Sequence, residues 1–175
     1  MARIPYFDMT EAPEEYKALL AGRPPLNLYR MLPHAGAAYS QGFLALGGAI
    51  LRGNDLDPKL REIAILRVGL LGKAGYEVHQ HTRVARKAGL SDAKIAALEV
   101  GADTAALDDT EKLVLEFTDK VFHDLKAPDE LFDRVSARFG HRQTAQLVLV
   151  IGFYMLVSRF LENFEVDIEP PGAVV

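Results

Sequence analysis

The chain has 175 residues, 49% of them apolar and 25% charged, with a net charge of −4 and no cysteine. That length suffices for one domain with a real core. The lack of cysteine excludes disulfides, thiol nucleophiles and thiolate metal sites, and mild acidity without a basic block argues against a nucleic-acid partner. Residues 1–8 have no apolar stretch of the signal-peptide kind. The longest apolar run, 147–157, is eleven residues, too short for a membrane span. A soluble cytoplasmic protein is expected, with no membrane partner.

The pattern along the chain is helical throughout. Residues 1–12 read as irregular. Pro13 opens a short helix to about Ala21, which Gly22-Arg23-Pro24-Pro25 breaks. Positions 26–32 give one or two turns before Pro33. Positions 36–51 form a small-residue helix (Ala38, Gly42, Ala45, Gly47, Gly48). Glycines cost a lone helix stability, so close helix contact or a neighbouring pocket is expected there. Asp57 caps a helix with Pro58 at its first position, running 58–72. That helix is apolar almost all round, which marks it as buried in a core or at a subunit interface. A second helix, 75–88, stops at Gly89, and Ser91 caps a short one to about Val100. Asp108-Asp109-Thr110-Glu111 opens an amphipathic helix to about Asp124. Pro128 starts another that stops at Phe139-Gly140, and 141–164 is the last and longest. The tail from 165 reads as extended. No strand-like alternation, phosphate-binding glycine loop or low-complexity tract is present. Short loops between antiparallel helices imply a bundle of helical hairpins in one domain, 1–175. Two helices as apolar as 60–71 and 147–157 exceed what one such bundle buries comfortably, so a homo-oligomer is expected.

Three polar residues stand on apolar helical faces: Glu62, Glu77 and His81. Glu62 shares its side with Ile65, Leu66 and Gly69. A carboxylate there is desolvated, which raises its pKa unless a cation or donor compensates. The plain alternative is a buried salt bridge to Arg61, Arg67 or Arg30. Glu77 and His81 are four residues apart and share a helix side. A carboxylate on an imidazole N–H fixes the tautomer and makes the other ring nitrogen more basic, half of many acid–base sites. The plain alternative is a satisfied core histidine. His79 faces polar neighbours and reads as solvated. His79 and His81 point apart, so they cannot share a zinc ion, and no metal is expected. His34, Tyr154 and Asn163 are polar groups in apolar surroundings and are candidates for binding a substrate.

The stretch Leu60-Arg61-Glu62-Ile63-Ala64-Ile65-Leu66-Arg67-Val68, followed by Tyr76-Glu77-Val78-His79-Gln80-His81 and Ala85-Arg86-Lys87-Ala88-Gly89-Leu90-Ser91, resembles the carboxymuconolactone decarboxylase family, which includes the alkylhydroperoxidase D-like proteins. The resemblance spans about 27–169, with 1–26 as an N-terminal extension. It implies an all-α helical-hairpin fold assembled as trimers or hexamers. In the peroxidase branch the motif runs Glu, eleven residues, Cys-x-x-Cys, three residues, His. In this chain those places hold Glu62, Ala74, Glu77 and His81. Both cysteines are missing, and a carboxylate cannot cycle through a sulfenate or disulfide. The resemblance is therefore to a cysteine-free, decarboxylase-like branch. It implies a cofactor-free lyase or isomerase that moves a proton on a small carboxylated, lactone-like substrate. Glu62, Glu77 and His81 would be its catalytic residues. The rival expectation is a non-catalytic oligomeric binding protein of the same fold.

Overall fold

The computed structural model describes residues 1–173; positions 174–175, the end of the tail, lie outside the described residues. The helices are α1 (Glu14–Leu20), α2 (Asn27–Met31), α3 (Ala37–Arg52), α4 (Pro58–Leu71), α5 (Gly75–Ala88), α6 (Asp92–Val100), α7 (Asp109–Asp124) and α8 (Asp129–Phe164), with one 3-10 turn, Leu32–Ala35, after α2. No strand occurs among the described residues. The fold is all-α, as the apolar periodicity predicts. The chain separates into two compact units, one holding 54–160 and the other 1–53 with the chain from 161 on.

In the 54–160 unit the buried centre is α4. Every residue from Arg61 to Gly69 is buried, and Ile63, Ala64, Ile65 and Val68 have no exposed surface. Each large apolar side chain so enclosed stabilises the unit by roughly 1.5–3 kcal/mol. Its start is fixed by Asp57, whose side chain accepts from the Lys59 N–H, ahead of Pro58. α4 packs against α5, α6 and α7. α5 ends where Gly89 turns left-handed (φ 94°), with the Leu90 N–H reaching back to the Ala85 carbonyl. Ser91 caps α6 through the Lys94 N–H, and Asp108 and Glu111 form a reciprocal capping box on α7.

The two helices expected at 128–139 and 141–164 form one element broken at Gly140 (φ 71°, ψ 166°). That backbone is open to glycine and costly for other residues, so the break falls where the sequence places it. By length and composition α8 could cross a membrane, but half of its most apolar window is buried inside the protein. This is also the pattern of a core helix. Leu147, Val150, Ile151, Tyr154 and Val157 face inward, while Val148, Leu149 and Leu156 are exposed at 40%, 55% and 52%.

In the other unit α3 packs on α1 and on the 3-10 turn. Ser40 Oγ donates to the Leu32 carbonyl (2.9 Å), and the buried Tyr16 hydroxyl donates to the Tyr29 carbonyl (2.7 Å). Burial pushes the Tyr16 hydroxyl well above its ordinary pKa. In α3, Gly48 is crowded by the Arg52 and Arg23 side chains, whereas a Cβ at Gly42 would meet open space. The N-terminal segment is laced to the tail. Asp167 accepts from the N-terminal ammonium (3.2 Å), the Ala2 N–H (3.1 Å) and the Tyr6 hydroxyl (3.0 Å). Asn27 donates its side-chain amide to the Asp167 carbonyl at 2.9 Å.

Candidate functional site

The polar residues singled out on α4 and α5 meet inside the 54–160 unit. Glu62 sits on the buried stretch of α4 and has no exposed surface. Its Oε1 accepts from Arg61 Nε at 3.1 Å, and its Oε2 lies 2.7 Å from His81 Nδ1. A carboxylate opposite Nδ1 calls for a proton on Nδ1, and in the neutral tautomer that satisfies it the lone pair lies on Nε2. The His81 side chain keeps 12% of its surface exposed, whereas Glu62 keeps none. The pair therefore has a sealed end and an end that reaches the surface. Of the three arginines considered as partners for Glu62, the structure selects Arg61, itself only 8% exposed.

The expected Glu77–His81 pairing is not what forms. Glu77 is 1% exposed, and its Oε2 accepts from Ser158 Oγ of α8 at 2.8 Å. The carboxylate on His81 comes instead from the neighbouring helix. The reason lies in register. The i, i+4 rule puts Glu77 and His81 on one side of α5. α4 and α5 pack as an antiparallel hairpin, which sets Glu62 opposite His81 and Gly69 opposite Glu77. A Cβ at Gly69 would stand 3.0 Å from Val78 Cγ2 and 3.4 Å from Glu77 Oε1, so glycine allows the close approach there.

Tyr154 of α8 is 4% exposed and lies edge-on to the His81 ring, with centroids 4.8 Å apart and planes at 86°. Its ring is closed off from solvent and contacts the imidazole. α8 thus presents Tyr154 to His81 and, one turn on, Ser158 to Glu77.

The remaining candidates lie in the other unit. His34 is exposed, with Nε2 2.9 Å from the Pro5 carbonyl and its ring edge-on to Phe7 at 5.6 Å. Asn163 is exposed, and its backbone carbonyl accepts from Arg3 Nη1 at 3.2 Å. His79 is exposed, as its polar neighbours predict. Among the described residues no group of three His, Cys, Asp or Glu could hold a metal ion. Ser158 escaped the sequence reading. A serine in an apolar helix carries little signal, and its one clue is the i, i+4 spacing from Tyr154.

Comparison with known proteins agrees with this architecture. The model of the carboxymuconolactone decarboxylase family matches residues 37–120, which contain Glu62, Glu77 and His81. An uncharacterised Bacillus subtilis (strain 168) protein, YdfG, is 29% identical over 100 residues, covering 56% of this chain and 68% of its own. An Agrobacterium tumefaciens protein of unknown function, named as a candidate antioxidant defence protein AhpD, superposes with a TM-score of 0.73 at 20% identity, over 79% of this chain and 95% of that one. A cysteine-to-alanine variant of the debrominase Bmp8, in complex with 2,3,4-tribromopyrrole, superposes with a TM-score of 0.75 at 14% identity, over 99% of this chain and 95% of that one. At such identities the two structures share the fold. The family match covers the helices that carry Glu62, Glu77 and His81, so over residues 37–120 the chain is similar to the carboxymuconolactone decarboxylase family.

Proposed function

We propose that the chain is a cofactor-free lyase or isomerase that moves a proton on a small carboxylated substrate, with a γ-lactone acid as the first candidate. One observation carries this reading. A fully buried carboxylate, Glu62, holds Nδ1 of a histidine whose ring still reaches the surface. The arrangement frees Nε2 to take or give a proton while Glu62 stabilises the imidazolium that forms. In the lyase form the C–C bond to the substrate carboxylate breaks and carbon dioxide leaves. The bonding electrons pass into the lactone carbonyl as an enolate. Protonated His81 then delivers the Nε2 proton to the carbanion carbon and recovers a proton from water. Arg61, on the other oxygen of Glu62, holds that carboxylate in place through the cycle. Reduction of peroxide by a thiol pair is ruled out by the sequence, which has no cysteine.

The test is a panel of carboxylated γ-lactones incubated in deuterium oxide, followed by carbon dioxide release and by deuterium at the product carbon. His81→Gln is expected to lower turnover by at least about 100-fold with an unchanged circular dichroism spectrum. Full activity in His81→Gln, or no turnover of any panel member by the unaltered protein, would overturn the reading.

The exposed apolar side of α8 supports the expectation of a homo-oligomer. Val148 and Leu149 line an open groove of about 530 Å³ with Phe132, His141, Thr144 and Ala145, and contiguous apolar surface of this kind marks interaction sites. Leu149→Glu is expected to shift the mass measured by light scattering toward the monomer, and an unchanged mass would reject this face as the contact.

A further inference from the structure

The Glu62 carboxylate, 2.7 Å from His81 Nδ1, fixes one point of the imidazole. A hydrogen bond tolerates some tens of degrees of misalignment before it weakens steeply. Across the width of an imidazole, a rock of that size swings Nε2 by on the order of 1 Å, and a misplacement of that order at a reacting atom can cost about 100-fold in rate. The carboxylate alone therefore does not aim Nε2. The ring has a second contact. Tyr154 stands against it at 86°, with centroids 4.8 Å apart. We propose that Tyr154 is a positioning residue, whose ring limits the rocking of the His81 imidazole and so aims Nε2.

Three features support this role. First, the two constraints come from different directions. Glu62 belongs to α4 and Tyr154 to α8, while His81 stands on α5. A ring pinned at one nitrogen from one helix and braced by a flat side chain from another keeps little freedom to turn. Second, the brace is itself held. Val150, Ile151, Val157 and Ser158, a turn to either side of Tyr154, are all buried. The Phe153 ring lies edge-on to Tyr154, with centroids 5.5 Å apart and planes at 87°. Perpendicular aromatic contacts of this kind have preferred geometries, so they transmit orientation as well as fill space. Third, Tyr154 is only 4% exposed. It offers a substrate little surface, and it meets the imidazole instead. This inference deepens the acid–base reading of the site and depends on it for its consequence in turnover. The hold on the ring does not.

The experiment pairs spectroscopy with kinetics on the full chain. In protein labelled at the histidine ring nitrogens, the His81 signals are assigned by their loss in His81→Gln. Tyr154→Leu keeps apolar bulk but removes the flat brace. It is expected to broaden the His81 ring signals through microsecond-to-millisecond exchange and to speed the exchange of the Nδ1–H proton with water. On any lactone the protein turns over, it is expected to lower kcat by about 10- to 100-fold with KM little changed. Tyr154→Phe keeps the ring and is expected to match the unaltered protein in both readouts. The proposal is overturned if Tyr154→Leu leaves the His81 signals as they were, or if kcat holds while the ring loosens. It is overturned too if Tyr154→Phe behaves like Tyr154→Leu, since the hydroxyl and not the ring would then be the brace. If Tyr154→Leu does not fold, ring relaxation in the unaltered protein and in Tyr154→Phe decides. Order parameters near the rigid-backbone value of about 0.85 in both uphold the proposal, and a value below about 0.6 in either sinks it. A ring that loosens in Tyr154→Leu, with no lactone turned over by the unaltered protein, would leave the brace standing and refute the catalytic reading instead.

Discussion

Two charged clusters grow from α4 only five residues apart, and they end differently. Arg67 is held on all its working sides. Its Nε and Nη2 take both oxygens of Asp119 on α7, at 2.6 and 2.9 Å. Its Nη1 takes the Leu98 and Glu99 carbonyls of α6, at 2.6 and 3.3 Å. A planar fork suits such bidentate capture, and lysine could not replace it. Every group in that cluster closes on a fixed partner. Glu62 is as deeply buried, but its chain of contacts ends in an imidazole that reaches the surface and has a second nitrogen. A buried charge that closes on fixed partners holds helices together. One that closes on a group with a spare lone pair can do chemistry.

The contrast can be broken at either end. The largest effect is expected from Arg67→Met, which keeps the stem but strands Asp119 and two carbonyls. It should destabilise the protein by about 3–5 kcal/mol, read as a lower denaturant midpoint, while the His81 ring resonances of the folded fraction stay unchanged. Glu62→Gln should cost less, about 1–3 kcal/mol, yet abolish the turnover that Arg67→Met leaves per folded molecule. If the two variants lost activity and stability in the same proportion, the clusters would be of one kind. The smallest effect concerns Asp167, a carboxylate that titrates at the surface. The N-terminal ammonium, then the Ala2 N–H and the Tyr6 hydroxyl, hold its carboxyl below the ordinary value of 3.8. A carboxyl lowered by folding adds stability above its unfolded pKa and loses it as pH falls through the folded one. Asp167→Asn should therefore remove that contribution across the neutral region, flatten the acid limb of the stability curve below about pH 4, and leave the His81 signals alone.

The helices were legible because their signals are local. Asp57-Pro58, Gly89, Ser91 and Asp108 fix ends by capping chemistry that acts within a few residues, and each works as expected. The burial of Glu62 and Glu77 was legible too, since each interrupts an apolar face. What could not be read was which carboxylate meets which partner. That is decided by the register between α4 and α5 and by what α8 lays over them, and both are tertiary. The i, i+4 rule favoured Glu77 for His81, and a serine eighty-one residues away in sequence took Glu77 instead. The α3 glycines divide, since small residues permit close contact without requiring it: Gly48 has arginine side chains against it and Gly42 has nothing within reach.

The grip of Arg67 on the end of α6 also bears on motion. α6 has nine residues, too few to persist alone in water. Besides its own packing, it is held at its last turn by a guanidinium that belongs to α4 and is fixed on α7. Its N-terminal half is tied by Lys94, whose ammonium reaches Glu111 at the start of α7 at 2.5 Å. The lifetime of α6 is therefore borrowed. Its amide hydrogens should exchange with solvent as one cooperative group, at a rate set by the opening of its ties to α4 and α7 rather than by fraying from its own ends.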